Sequence, residues 1–313
     1  MKIVDLHCDT ISAIYERNEQ LFENTGHFDI RRALEADMKV QVFALFTMPT
    51  ESNLALRLIL KQVDKYHFEI AKNPNYLYHV NHYEDIAQPG NASKIGCILH
   101  LEGGEALGTD VGILRVLYRL GLRSLGLTWN NRNHLADGLY EREKAAGLSI
   151  KGREIIAEMN KLGMLLDLSH LAEPGYYEAF KYYQHPILVS HANARALCPH
   201  WRNLDDRQLK TLAINGGVVG INQVADFVKE DGVCEFDDLI NHIVYIAELI
   251  GIEHVGLGSD FDGADHIVLP GVQGYKDLEE QLLKRGFSPR EVEMVLGGNA
   301  LRVIKAVMSN NDV

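Results

Sequence analysis

Residues 164–170 read Met164-Leu165-Leu166-Asp167-Leu168-Ser169-His170. A short apolar run ends abruptly in two polar residues, and Ile187-Leu188-Val189-Ser190-His191 repeats the pattern. Runs of this length, without the alternation of a half-exposed strand, are expected of parallel strands buried on both faces. Working outward, six more such runs appear: Ile3 to Leu6, Val40 to Phe46, Ile95 to Leu101, Leu122 to Leu127, Val218 to Ile221 and Val255 to Gly258. Longer amphipathic stretches separate them, as crossovers between parallel strands require. Eight strand-then-helix units predict an α/β fold, a (β/α)8 TIM-like barrel in one domain spanning residues 1–313, in preference to a doubly wound sheet.

The helical stretches carry their own punctuation. Phe236 to Ile250 places Leu239, Ile240, Ile243, Val244 and Ala247 at three- and four-residue spacing, which predicts one apolar stripe against the barrel. Ser288-Pro289-Arg290-Glu291 has the form of a capping box, and Gly297-Gly298 would suit a helix stop. Thr10 to Asp37 is long and polar enough to fold over the mouth as a lid. No repeat or Pro/Ser-rich linker offers a place to divide the chain.

Composition narrows the function classes. The 43 acidic residues exceed the 31 basic ones, and a net charge of −12 disfavours nucleic acid or an anionic membrane as partner. Cys8, Cys97, Cys198 and Cys234 form no CxxC pair, so neither a zinc knuckle nor a disulfide framework is expected. With no signal-peptide pattern at Met1 to Asp9 and no membrane-spanning run, the expected compartment is the cytoplasm.

In a barrel, the loops after the strands share one face, so residues just past the strand ends converge. His7 and Asp9 flank Cys8 after the first run, and period-two alternation sends both to one side. Imidazole and carboxylate together suit a divalent metal, zinc above all. Glu102 ends the third run ahead of two glycines, where a carboxylate can give one oxygen to each of two ions. His170 and His191 end two successive strands as a matched ligand pair, whereas His100 reads as a packed or supporting histidine. Ser169 and Ser190 are expected to point away from the histidines beside them, and no GxSxG elbow occurs, which argues against a serine hydrolase. Asp260, after the eighth run, is the candidate acid or base, while Asp262 suits a local turn. Arg202 is the candidate partner for a substrate carboxylate, with Arg195 as its competitor.

As a set and in this order, these segments resemble the renal-type or membrane dipeptidase family. The resemblance rests on Asp5-Leu6-His7-Cys8-Asp9, Leu101-Glu102-Gly103, Leu135-Ala136-Asp137, Asp167-Leu168-Ser169-His170, Ser190-His191-Ala192-Asn193-Ala194-Arg195, Arg202-Asn203, Gly258 to Gly263 and Gly297-Gly298-Asn299, nearly the whole chain. It implies a barrel enzyme that cleaves dipeptides, some with a C-terminal D-residue. Two Zn2+ would sit in it, the first on His7 and Asp9 and the second on His170 and His191, with Glu102 between them and a shared hydroxide as nucleophile. Arg202 would meet the substrate carboxylate, Asp260 would carry the proton, and a homodimer is implied. One departure stands out: Leu127-Thr128-Trp129-Asn130 has tryptophan where the family often has an oxyanion-stabilising histidine, leaving Asn130 or His134 as substrate-binding substitutes. The rivals are a metal-dependent amidohydrolase acting on a cyclic or acylated amide, and a catalytically silent metal-binding homologue on the same scaffold.

Overall fold

The structure is a computed structural model that describes residues 3–309. Nine strands occur among them: β1 Ile3–Cys8, β2 Met38–Phe46, β3 Leu77–His79, β4 Ile95–Glu102, β5 Leu122–Gly126, β6 Leu165–Asp167, β7 Leu188–Ala192, β8 Val218–Ile221 and β9 Val255–Leu257. Every pairing is parallel. Following the pairs from β1 through β2, β4, β5, β6, β7, β8 and β9 leads back to β1, so eight strands close a (β/α)8 barrel in a single domain. These are the eight apolar runs of the sequence. β3 was not expected: it pairs Leu77 to His79 with Ile95 to Cys97, beside the start of β4, where β5 does not yet reach.

One end of the barrel is sealed by the last helix. Val4 and Leu6 of β1, Val40 and Val42 of β2, Ile98 of β4, Leu165 of β6, Leu188 of β7 and Val218 of β8 cluster with Val303, Ile304 and Val307 of the helix Asn299–Met308. Contributions from six strands can meet one helix only if it lies across the strand starts. Gly297 and Gly298, expected to stop a helix, do not. Met294–Gly298 is one π-helical turn that joins Pro289–Glu293 to Asn299–Met308, and Gly298 keeps φ −57°. The wide turn packs against β1 and β9, and Asn299 Nδ2 donates to the carbonyls of Ile252 and Val255, both at 2.7 Å, which anchors the following helix.

The opposite end stays open. Phe236–Ile250 forms the expected helix and buries Leu239, Ile240, Ile243 and Ile246, with Val244 and Ala247 half-buried at its margin. Between β1 and β2 the chain forms helices Thr10–Arg17 and Ile30–Glu35. The intervening loop is stapled by Asp262, whose Oδ1 accepts from His27 N at 2.8 Å and whose Oδ2 accepts from Thr10 Oγ1 at 2.6 Å. The stretch read as a lid is thus a packed wall of the mouth. Among the described residues, no helix is long and apolar enough to cross a membrane.

Candidate active site

The open end gathers the strand-end residues around one carboxylate. Glu102 Oε1, at the last position of β4, lies 2.8 Å from His170 Nε2, 3.5 Å from His191 Nε2 and 3.7 Å from His7 Nε2. His7 Nε2 is in turn 3.3 Å from Asp9 Oδ2 and 3.9 Å from Asp260 Oδ1. The donors form two sets that share Glu102: His7, Asp9 and Glu102, and Glu102, His170 and His191, each with its ligand atoms within 4.8 Å of one another. These are the five residues expected to ligate metal. Backbone bonds from Asp9 N to Phe261 O (2.8 Å) and from Asp260 N to His7 O (3.2 Å) stitch the first and last turns together.

The electrostatics suit cations. Burial disfavours charge on His170 and His191, and the nearby Arg202 and His7 press the same way, so both pKa values fall well below the usual range. Both imidazoles are neutral, the form that ligates. Burial would also lower His7, but Glu102, Asp9 and Asp260 outweigh it and push it up to about 10. Glu102 is raised by burial and by Asp9 and Asp260. Carboxylates crowded into so dry a place have too little positive charge to face. His7 Nδ1 and Nε2 are buried without a hydrogen-bond partner. His170 Nδ1 lies 2.8 Å from Asn130 Oδ1, an acceptor, so its hydrogen sits on Nδ1 and its Nε2 lone pair faces Glu102. The donor set, imidazoles mixed with carboxylates, therefore fits divalent ions.

A cleft of about 430 Å³ opens over this cluster, lined at its base by Asp9, Glu102, Asn130, His170, Arg202 and Asp260. Phe46, Met48 and Trp129 form one apolar wall, and Val224 and Phe227 another. A larger groove of about 750 Å³, between Tyr15 and the helix Ser52–Lys72, holds none of the converging groups.

Arg202 is buried beside the cluster. Nη1 donates to Ser169 O, and Nη2 donates to His191 O at 2.9 Å and approaches His170 Nε2 at 3.1 Å. Its guanidinium carries five N–H groups, so donors remain for a ligand in the cleft. Arg195 is spent elsewhere, on the carbonyls of Asn203 and Trp201. Asp260 adopts φ +63°, and its Oδ2 accepts from Asn222 Nδ2 at 2.9 Å, which leaves Oδ1 on the His7 side. Asn222, fully buried, had not been singled out from the sequence.

Two expectations, on His134 and Ser190, need correction. His134 does not join the cluster: exposed, it lines a separate groove with Glu105, Arg132 and Asn133. Asn133 Oδ1 accepts from the backbone of Leu135 and Ala136, a tight turn that carries His134 outward. Asn130 reaches the cleft, with its side-chain oxygen held 2.8 Å from His170 Nδ1. Ser190, expected to point away, lies 2.7 Å by its Oγ from His191 Nδ1. β7 is irregular between Val189 and Ala192, which breaks strict alternation there. His100, read as a packed or supporting histidine, is buried with Nδ1 2.8 Å from Ser124 Oγ.

The chain is similar to known proteins along nearly its whole length. The family described as membrane dipeptidase (peptidase family M19) matches residues 1–312. Dipeptidase aclJ of Aspergillus oryzae is 34% identical, over 89% of this chain and 69% of its own. An uncharacterized dipeptidase of Schizosaccharomyces pombe is 36% identical, over 97% of this chain and 80% of its own. Among solved structures, a metallo peptidase of Rhodobacter sphaeroides bound to a phosphinate mimic of the dipeptide L-Ala-D-Ala superposes with TM-score 0.91 at 26% identity, covering 98% of this chain and 99% of that one. A dipeptidase of family M19 reaches TM-score 0.92 at 26% identity, covering 99% of both chains.

Proposed function

The chain belongs to the membrane dipeptidase family, peptidase family M19, and from that premise we propose that its cleft hydrolyses the peptide bond of dipeptides with two zinc ions. The observation that carries this reading is the position of Glu102 Oε1 between the two donor sets. His7 and Asp9 would hold one ion and His170 and His191 the other, with Glu102 shared. When bound, such a pair supplies Lewis acidity and a shared water ionised near neutral pH, pKa about 7.

The chain's own residues do the rest. Arg202 binds the substrate's terminal carboxylate with N–H groups not given to Ser169 and His191, and so fixes the scissile bond over Glu102. Asp260, held by Asn222, takes the proton of the attacking water at Oδ1 and returns it to the departing amine. Asn130, its oxygen anchored on His170, turns its amide N–H groups to the developing oxyanion. Arg202 for the terminal carboxylate, with the acidic Glu16 lining the same cleft for the free amine, would measure a dipeptide and exclude longer chains. The phosphinate complex of the Rhodobacter sphaeroides relative supports acceptance of a C-terminal D-residue.

The test is metal content per chain, with release of free amine from L,L and L,D dipeptides, a tripeptide and a C-amidated dipeptide, before and after chelation. Two ions, turnover confined to free dipeptides and loss on chelation are expected. Bound metal without amine release would mark a silent scaffold, and equal rates on the amidated substrate would remove Arg202 from the mechanism.

A further inference from the structure

We propose that Asp167, acting through the Ser190 hydroxyl, fixes the hydrogen of His191 on Nδ1 and thereby keeps Nε2 bare for the second ion. The inference rests on the metal-binding reading above, and its bookkeeping concerns hydrogens. Asp167 Oδ1 accepts from Ser169 N (3.1 Å), Ser190 N (2.9 Å) and Ser169 Oγ (2.7 Å). Its Oδ2 accepts from Ser190 Oγ at 2.5 Å. A carboxylate only accepts, so the single hydroxyl hydrogen of Ser190 is committed to Oδ2. Ser190 Oγ then has only lone pairs to offer His191 Nδ1, 2.7 Å away, and that contact requires the hydrogen on Nδ1. A neutral imidazole has one N–H. Nε2, facing Glu102 at 3.5 Å, is left as a lone pair.

The neighbouring contacts on the Nδ1 side close on the same assignment, which also leaves His191 Nε2 and His170 Nε2, 3.0 Å apart, with no hydrogen between them. The Ser169 hydroxyl is spent on Asp167 Oδ1, so the 3.0 Å contact between Ser169 Oγ and Ser190 Oγ carries no hydrogen, and Ser169 Oγ accepts instead from His191 N at 3.2 Å. His100 Nε2 stands 3.6 Å from Asp167 Oδ2, too far to compete for it. Histidine ligands are commonly aimed by an acceptor on the other ring nitrogen. Here that acceptor is a hydroxyl, which by itself could face either way. Asp167 removes the choice, which makes it a positioning residue rather than a ligand.

An isosteric change should reverse the relay. In Asp167→Asn the side-chain oxygen must stay where three donors converge, two of them backbone N–H groups, so the amide NH2 takes the place of Oδ2. It then donates to Ser190 Oγ, the hydroxyl swings to donate to His191 Nδ1, and the imidazole hydrogen moves to Nε2. Ser190→Ala merely removes the relay and leaves the ring free to choose. The expected loss of affinity for the second ion is about 100-fold for Asp167→Asn and about 10-fold for Ser190→Ala. The double variant should recover to the Ser190→Ala level, which loss of packing would not produce.

The readouts are stepwise dissociation constants for Co2+ by competition with a chelator, the Co2+ visible spectrum, and 15N NMR of the His191 ring in the metal-free parent. The NMR needs no variant and stands even if Asp167→Asn does not fold. A His191 hydrogen on Nε2 in the parent, equal affinities of Asp167→Asn and Ser190→Ala, or a double variant weaker than Asp167→Asn would overturn the relay. A parent that binds fewer than two ions would instead count against the proposed function, and the ring spectrum would still decide the relay.

Discussion

Glu102→Gln changes one atom and one charge at the centre of the cluster. Glu102 is 7% exposed, and its Oε1 faces three imidazole nitrogens at 2.8, 3.5 and 3.7 Å. With ions bound, its carboxylate would lie close to two divalent charges. Unit charges about 4 Å apart attract by about 4 kcal/mol at an effective dielectric near 20, and a divalent ion doubles that to about 8. If the carboxamide dipole recovers half, about 4 kcal/mol per ion is lost, roughly 1,000-fold in dissociation constant. Without ions the sign reverses. Burial, with Asp9 and Asp260, raises the Glu102 pKa well above its ordinary value of 4.5, so the carboxylate's contribution to stability is complete below that pH and lost above it. A neutral amide escapes that loss and can donate to His170 Nε2. The metal-free variant should therefore melt above the metal-free parent at neutral pH, and the zinc-loaded variant below the zinc-loaded parent. Calorimetry with chelator and with excess zinc, beside metal analysis, reads both. Two ions held within tenfold of the parent's affinity, or a metal-free variant less stable than its parent, would refute the placement of this carboxylate.

Arg202→Met is expected to lower kcat/KM on free dipeptides about 10- to 100-fold, the range of lost charge-assisted hydrogen bonds, and to erase the difference between free and C-amidated substrates; a preserved difference would exclude the arginine from carboxylate binding. His134→Ala should leave kcat/KM and metal content within about twofold, because the side chain lines another groove; a tenfold fall in kcat/KM would return it to the site. In chelator, stability against urea should decline as the pH rises from 6.5 toward 10. His7, raised to about 10, contributes stability that is complete below pH 6.5 and lost between there and about 10, whereas His170 and His191, shifted downward, lose theirs as the pH falls below 6.5; a metal-free protein with no alkaline decline would contradict the charge balance drawn for the cluster. Ile304→Ala should cost about 2–5 kcal/mol in unfolding free energy while metal stoichiometry is unchanged, since it empties the seal at the closed end of the barrel; a cost below about 1 kcal/mol would mean that this helix does not plug the strands.

The eight barrel strands were legible because closure buries each on both faces, and a doubly buried strand reads as a continuous apolar run. β3 escaped notice for the complementary reason: Leu77-Tyr78-His79 is three residues long and only Leu77 is fully buried. Gly297-Gly298 misled because glycine is read as a stop where it ends a helix by turning left-handed, and Gly298 stays right-handed. What holds the helix there is tertiary: Asn299 bonds to Ile252 and Val255, some 45 residues away in sequence, through contacts that no local pattern announces.

The ligands and their supporting groups differ in what their discovery requires. His7, Asp9, Glu102, His170, His191 and Asp260 needed only the rule that strand ends share one face of a barrel, because position along the chain then implies position in space. The relay behind His191 needs register as well. Asp167, the last residue of β6, pairs with Leu188 of β7, and two residues further along each segment stand Ser169, just past β6, and Ser190, whose hydroxyls consequently lie 3.0 Å apart with Asp167 reaching both. A slip of one residue would send one serine to the opposite face and leave the carboxylate with half its donors. Register is set by the mutual fit of barrel and surrounding helices, so a single sequence can display Asp-x-Ser-His beside Ser-His without revealing that the two segments form one hydrogen-bonded unit. The reactive groups of such a site are therefore visible before the atoms that aim them.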